Sequence, residues 1–277
     1  MMSKKVVSID HLERVILDAG DLLIKFWSER PKLKIDYKEG QGLVSNADKE
    51  VEAFLIKELS TLMPEAAFCA EESSYENSYD VSLLKKGWSW VIDPLDGTNN
   101  FLSGFDYFCI SVSLCLNGLP EIGIVYRPIR GDFFIAEKGK GAFFENKQIS
   151  LPRTKIIRGT YHPNKLKDSL LCTGFAGEKG IKFEKEFEVF KKMMMNSRGV
   201  RRLGSAALDL SYLAKGSWQG FWEKGLSPWD VAAAGLICQE AGIEVVDLQG
   251  QAFSPFNASI VACAPSIKSE LLVQLNG

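Results

Sequence analysis

Three strand-length apolar runs, at 107–116, 121–128 and 132–137, are separated only by Asn117-Gly118 and by Arg130-Gly131-Asp132. Short runs broken by such tight-turn residues fold back on one another as neighbouring antiparallel strands. The glycine-spaced stretch KGKGAFFENKQIS extends the series by one more hairpin. A helical spacing of Leu12, Val15, Ile16, Ala19, Leu22, Leu23 and Phe26 predicts an amphipathic helix over 10–29. A second helix fits 46–63, where Ser45-Asn46-Ala47-Asp48 reads as a capping box and Pro64 closes the end. Strands are expected at 67–70 and 88–92, with SSYENSYDVS (73–82) as a polar loop between them. The first half is therefore read as helices on a mostly antiparallel sheet.

The second half alternates differently. Strands at 169–173, near 200–203, and at 219–223, 243–247 and 259–263 are interleaved with helices over 205–215 and 227–240. Phe183, Phe187, Phe190 and Met194 recur at helical spacing, a stripe expected to pack into the core. The change of pattern falls in the charged, turn-rich segment at 150–160. Two halves are expected, 1–152 and 153–277, and 277 residues with 46% apolar content suffice to bury a core in each.

Charge excludes some functions. The net charge is −2, with 33 basic and 35 acidic residues interspersed, so no basic stripe points to a nucleic-acid partner. No apolar run reaches membrane-spanning length and the N-terminus does not read as a signal peptide, which predicts a cytoplasmic protein without membrane attachment. Six scattered cysteines, none in a C-x-x-C pair, are expected to be buried free thiols. The two histidines, His11 on a helix and His162 before a proline, leave carboxylates to carry any chemistry.

Those carboxylates sit at the ends of elements. In WSWVIDPLDGTNNF (88–101) an apolar strand meets Asp93 and Asp96, with Pro94 expected to end the strand. Gly97 permits a positive-φ turn, and the amides of Gly97 and Thr98 can face an anion where a helix begins. The alternative is that Asp96 merely caps that helix. Glu71 and Glu72 close the strand at 67–70; if extended, they point opposite ways, leaving Glu72 behind the cluster or at the surface. Asp230 lies in the first turn of a helix with Ser227 as N-cap and Pro228 at N1, so it either answers the helix dipole or binds a ligand. Acids of this kind without histidine or cysteine partners form an oxygen-only donor set, which selects Mg2+ (or Mn2+) over Zn2+.

The stretches GLVSNADKEVE (42–52), AEES (70–73), WVIDPLDGTNNF (90–101) and GFWEKGLSPWDVAAAGLICQEAG (220–242) resemble the inositol monophosphatase family, in order and spacing over nearly the whole chain. The resemblance implies an α+β fold, a layered αβαβα sandwich of the inositol monophosphatase and fructose bisphosphatase type, usually as a homodimer. It implies a lithium-sensitive phosphomonoesterase using two or three Mg2+ ions, acting on a small phosphorylated polyol or sugar. By resemblance, Glu71, Asp93, the Leu95 carbonyl, Asp96 and Asp230 hold metal, and Glu71 helps orient the attacking water. Gly97 and Thr98 would meet the phosphate. Thr98 with Asp48 resembles the family's hydroxyl–carboxylate pair, with capping as the competing role for Asp48. Asp230, Ala206 and Glu223 would meet the substrate, and Glu223 could equally be a solvated strand-end acid. Lys38 matches a family lysine only loosely, the preceding loop being one residue shorter. Asn99-Asn100-Phe101 after Asp-Gly-Thr favours inositol 1-phosphate. A 3′(2′),5′-bisphosphate nucleotidase, a fructose 1,6-bisphosphatase, or a non-catalytic sugar-phosphate-binding regulator are the alternatives.

Overall fold

The computed structural model describes residues 7–38, 42–77, 81–149, 151–156, 163–175 and 181–277. Helix α1 (Ile9–Ser28) is followed by a hairpin of β1 (Ile35–Lys38) and β2 (Gly42–Ser45), and then by α2 (Asn46–Leu62). Strand β3 (Ala67–Ala70) leads into α3 (Glu71–Asn77) and α4 (Val81–Leu84). Strand β4 (Trp88–Asp96), α5 (Thr98–Ser103) and the meander β5 (Cys109–Leu116), β6 (Leu119–Arg127), β7 (Asp132–Glu137), β8 (Gly141–Asn146) and β9 (Leu151–Lys155) complete a seven-stranded sheet ordered β3 to β9. Among the described residues of this sheet, only the β3–β4 pair is parallel. Asn117 and Gly118 both adopt positive φ at the β5–β6 reversal, the backbone that the Asn-Gly pair predicts.

A five-stranded sheet follows, in the order β11 (Gly199–Arg201), β10 (Leu170–Thr173), β12 (Gly220–Lys224), β14 (Ser259–Cys263), β13 (Glu244–Val246). Helices α6 (Ile181–Asn196), α7 (Ala206–Lys215), α8 (Pro228–Glu240) and α9 (Lys268–Asn276) complete the chain. The apolar faces stack these elements in alternating layers. Leu12, Ile16 and Leu23 of α1 and Val51, Leu55 and Leu59 of α2 are buried against Trp90, Ile92, Ile110 and Ile124 on one face of the larger sheet. Full burial of each such side chain contributes roughly 1.5–3 kcal/mol. Helices α7 and α8 lie between the sheets, joining Val125 and Phe134 to Phe221 and Ile260. Helices α6 and α9 cover the outer face of the smaller sheet through Met193, Leu271 and Leu275. Helix α8 carries apolar residues all round because sheet or helix meets it on every side.

Several expectations change. The stretch 73–82 is not an open loop: α3 and α4 occupy its described residues. Pro94 does not end β4; the strand continues to Asp96 through a register shift between Asp93 and Asp96, where a proline needs no ladder hydrogen bond. The α6 stripe is core only in part: Phe190 packs on the sheet beside Val189 and Met193, while Phe187 is 48% and Met194 45% exposed. At 3.6 residues per turn those faces lie about a quarter turn apart, and the rings of Phe183, Phe187 and Phe190 satisfy one another by stacking along the helix. The hairpin β1–β2 and helix α9 carry no pattern that the sequence reading used. His162 lies outside the described residues, and His11 is exposed on α1. All six cysteines are buried free thiols.

Candidate active site

The register shift in β4 turns the backbone between Asp93 and Asp96, and Gly97 follows at φ 95°. A Cβ there would be strained by that conformation and would sit 3.0 Å from the Tyr107 carbonyl oxygen, which explains the glycine. At this turn lies a cleft of about 180 Å³ lined by Leu43, Glu71, Asp93, Leu95, Asp96, Gly97, Thr98, Asn99, Asn100, Arg202, Gly204 and Asp230. Residues of α3, β4, α5 and α8, far apart in sequence, thus share one concavity.

Each carboxylate is held by its own partners. The Leu95 amide donates to Asp93 Oδ1 at 2.9 Å within the turn. Asp96 does not cap the helix that follows it. Its Oδ2 accepts from Ser205 Oγ at 2.6 Å and from the Ala207 amide at 2.8 Å, so it caps α7 from across the molecule. Asp230 Oδ2 accepts from the Ser227 amide at 2.7 Å, completing a capping box at the start of α8. Asp48 caps α2 and also contacts Thr98. Its Oδ2 accepts the Ser45 amide and hydroxyl at 2.8 and 2.7 Å, while its Oδ1 lies 3.0 Å from Thr98 Oγ1. Capping and site-building therefore coexist on single carboxylates.

Burial and mutual repulsion disfavour the charged forms. Burial raises Asp93 well above the usual carboxylate range, with the charges of Glu71, Asp96 and Asp230 and a hydrogen bond to Glu71 adding to it. Burial and the charge of Asp96 push Asp230 up to about 7. Asp96 is raised by burial against the opposing pull of Ser205 and the α7 amides, and burial raises Asp48 too. Among the described residues no group of three or more acids, histidines or cysteines is drawn together closely enough to grip an ion as it stands. The four acids border one cleft. The donor chemistry still fits a hard divalent cation: carboxylates and a backbone carbonyl, with no histidine or cysteine among the described lining residues. A cation would remove the repulsion that raises these groups.

The other expected residues fall nearby. Ala206, the first residue of α7, is buried beside Ser205. Glu223 borders a neighbouring small cavity with Gly174 and Trp222 rather than the cleft itself. The residue is half-buried, and its carboxyl is raised, by burial first and then by the charges of Asp230, Asp209 and Asp96. Lys38 is paired with Gly42 in the β1–β2 hairpin, and the cleft's described lining includes only Leu43 from that hairpin. Glu72 is buried in the first turn of a helix instead of alternating along a strand. The sequence reading missed Arg202, the one cation among the described lining residues, and Asn100, whose Nδ2 donates to the Tyr107 and Leu203 carbonyls at 2.7 and 2.8 Å. Asn100 stood inside a quoted motif. Arg202 had no spacing signal, because the fold alone brings the β11–α7 loop to the cleft.

The model of the inositol monophosphatase family matches residues 6–276. An inositol-1-monophosphatase of Mesorhizobium japonicum is 35% identical over 258 residues, covering 92% of this chain and 91% of that protein. A Nus factor SuhB of Pasteurella multocida is 33% identical over 259 residues, covering 94% and 92%. Among solved structures, the extragenic suppressor protein suhB of Bartonella henselae superposes with a TM-score of 0.84 at 32% identity, covering 97% of this chain and 98% of that one.

Proposed function

The chain belongs to the inositol monophosphatase family, and on that footing we propose that it hydrolyses a small phosphate monoester, inositol 1-phosphate before others, with Mg2+ as cofactor. The observation that carries the reading is the convergence of Glu71, Asp93, Asp96 and Asp230 on the cleft that also holds Thr98. Those four side chains and the Leu95 carbonyl would hold the cations, which when bound supply Lewis-acid polarisation of the phosphoryl group and a more acidic water. Lithium sensitivity and a homodimeric assembly belong to the same proposal.

The chain's own groups account for the rest. Thr98 Oγ1 lies 3.0 Å from Asp48 Oδ1 and 3.1 Å from the Leu95 carbonyl oxygen, and it would take a proton from the attacking water as its own proton passes to the Asp48 carboxylate. Glu71, at the junction of β3 and α3, would hold that water in line with the phosphorus. Gly97 and Thr98 present backbone amides where phosphate oxygens gather charge, and Arg202 adds a cation at the rim. Glu223, beside the cleft, is the acceptor proposed for a substrate hydroxyl. No covalent phospho-enzyme is required.

A second reading is a non-catalytic regulator that binds a sugar phosphate without turnover; it is favoured by the P. multocida relative's being named a Nus factor and not a phosphatase. One experiment separates the two and ranks substrates. Phosphate release in Mg2+ is compared for inositol 1-phosphate, adenosine 3′,5′-bisphosphate and fructose 1,6-bisphosphate. The highest kcat/KM is expected for inositol 1-phosphate. A higher value for either bisphosphate would replace the substrate assignment, and no release from any would favour the binding reading. No helix among the described residues is long and apolar enough to cross a membrane.

A further inference from the structure

Helix α2 buries two carboxylates one turn apart on a single face, Asp48 at 1% and Glu52 at 3% exposure. Like charges at that spacing repel even on an exposed helix, by about 0.2–0.5 kcal/mol, and burial adds a larger desolvation cost. Both therefore need strong partners. Those of Asp48 are Ser45 and Thr98. Those of Glu52 lie in the first turn of α3: Oε2 accepts the Glu72 amide at 2.7 Å, and Oε1 accepts the Ser73 amide at 2.8 Å and the Ser73 hydroxyl at 2.5 Å. These are amides that a helix leaves without internal acceptors. A helix of seven residues, such as α3, does not sustain itself.

We infer that Glu52 is a positioning residue for Glu71. Glu71 is the residue between the last paired position of β3, where Ala70 sits opposite Ile92, and the first amide that Glu52 grips. Its backbone is thus fixed on both sides, and its carboxyl is delivered to the cleft within hydrogen-bonding reach of Asp93. Helix α2 thus acts as a rail for two lining residues of the site, Asp48 setting Thr98 and Glu52 setting Glu71. The inference rests on the reading of the cleft as a Mg2+ site.

Glu52→Gln tests it, because the amide nitrogen of glutamine meets a backbone N–H donor to donor. Three readouts apply: Mg2+ binding by calorimetry without substrate, hydrogen exchange at the Glu72 and Ser73 amides, and steady-state kinetics. The expected result is Mg2+ binding about tenfold weaker, in line with loss of a group that orients a ligand. Exchange at both amides accelerates, and kcat falls with KM for the phosphoester little changed. Val51→Ala, a cavity in the adjacent fully buried position, is the control and is expected to lower Tm while keeping wild-type Mg2+ affinity. Equal weakening by Val51→Ala at the same Tm loss would reduce Glu52 to a stability role and overturn the inference. So would wild-type affinity in Glu52→Gln. If Glu52→Gln does not fold, Ser73→Ala removes one donor and leaves the carboxylate; a weakening of two- to threefold is expected, and no change counts against the clamp. Absence of Mg2+ binding by the wild type would instead sink the cation-site reading beneath it.

Discussion

Asp93→Asn is expected to lower kcat by about 10³-fold or more, roughly 4 kcal/mol of barrier, while leaving the protein at least as stable as the wild type. The two effects have one origin. Asp93 is 1% exposed and surrounded by Glu71, Asp96 and Asp230, so its negative charge is unfavourable without cations. Asparagine keeps an Oδ1 acceptor for the Leu95 amide and so preserves the turn. It removes the charge that bound cations require, and it relieves the repulsion that the fold otherwise carries. The comparison is kcat in Mg2+ beside Tm in EDTA. Turnover at the wild-type level would remove Asp93 from the cation site, and a collapsed Tm would make its role structural.

Gly123→Ala carries the largest expected effect outside the cleft. A Cβ on Gly123 of β6 would lie 2.6 Å from the carbonyl oxygen and 2.9 Å from the Cα of Ala233, so the backbone of α8 rests directly on the sheet. Backbone yields less readily than a side chain, and overpacking of this kind costs about 1–3 kcal/mol. For a chain of this length each kcal/mol lowers Tm by roughly 2–4 °C. Asp230 lies one turn before Ala233, and the Trp229 carbonyl accepts from Ser111 Oγ of β5 at 3.1 Å. Lifting α8 at Ala233 therefore shifts Asp230 against Asp93. A displacement of 1 Å can cost about 10²-fold in rate, so Gly123→Ala is expected to lose activity and Mg2+ affinity together with several degrees of Tm. Retained kinetics at lowered Tm would show that Asp230 is positioned independently of this contact.

Much of the site was legible because its acids follow local rules. Ser45–Asp48 and Ser227–Asp230 are capping boxes in sequence and in space, and Asp93-Pro94-Leu95-Asp96-Gly97 carries its own turn. The meander was legible for the same reason: Asn117-Gly118 encodes its reversal locally. What escaped depends on contacts between distant segments. Asp96 caps α7 from 109 residues away, as measured to Ser205. Arg202 reaches the cleft only because of where the β11–α7 loop falls. Phe187 and Met194 show the opposite error: the regular apolar stripe predicts core for all its members, yet the sheet meets a face of α6 centred about a quarter turn away, which Phe190 shares and these two do not. Glu52 could have been found, since a glutamate one turn after Asp48 and between Val51 and Leu55 faces the core and needs a partner there.

The most direct measurement follows phosphate release from inositol 1-phosphate by a single preparation, first with Mg2+, then with excess EDTA, then with Mg2+ restored. Release, arrest and recovery are the predicted sequence. Release that continues unchanged in EDTA would contradict the idea that these gathered acids work by holding divalent cations against a phosphoester, and a protein silent in all three conditions would contradict the assignment of hydrolysis itself.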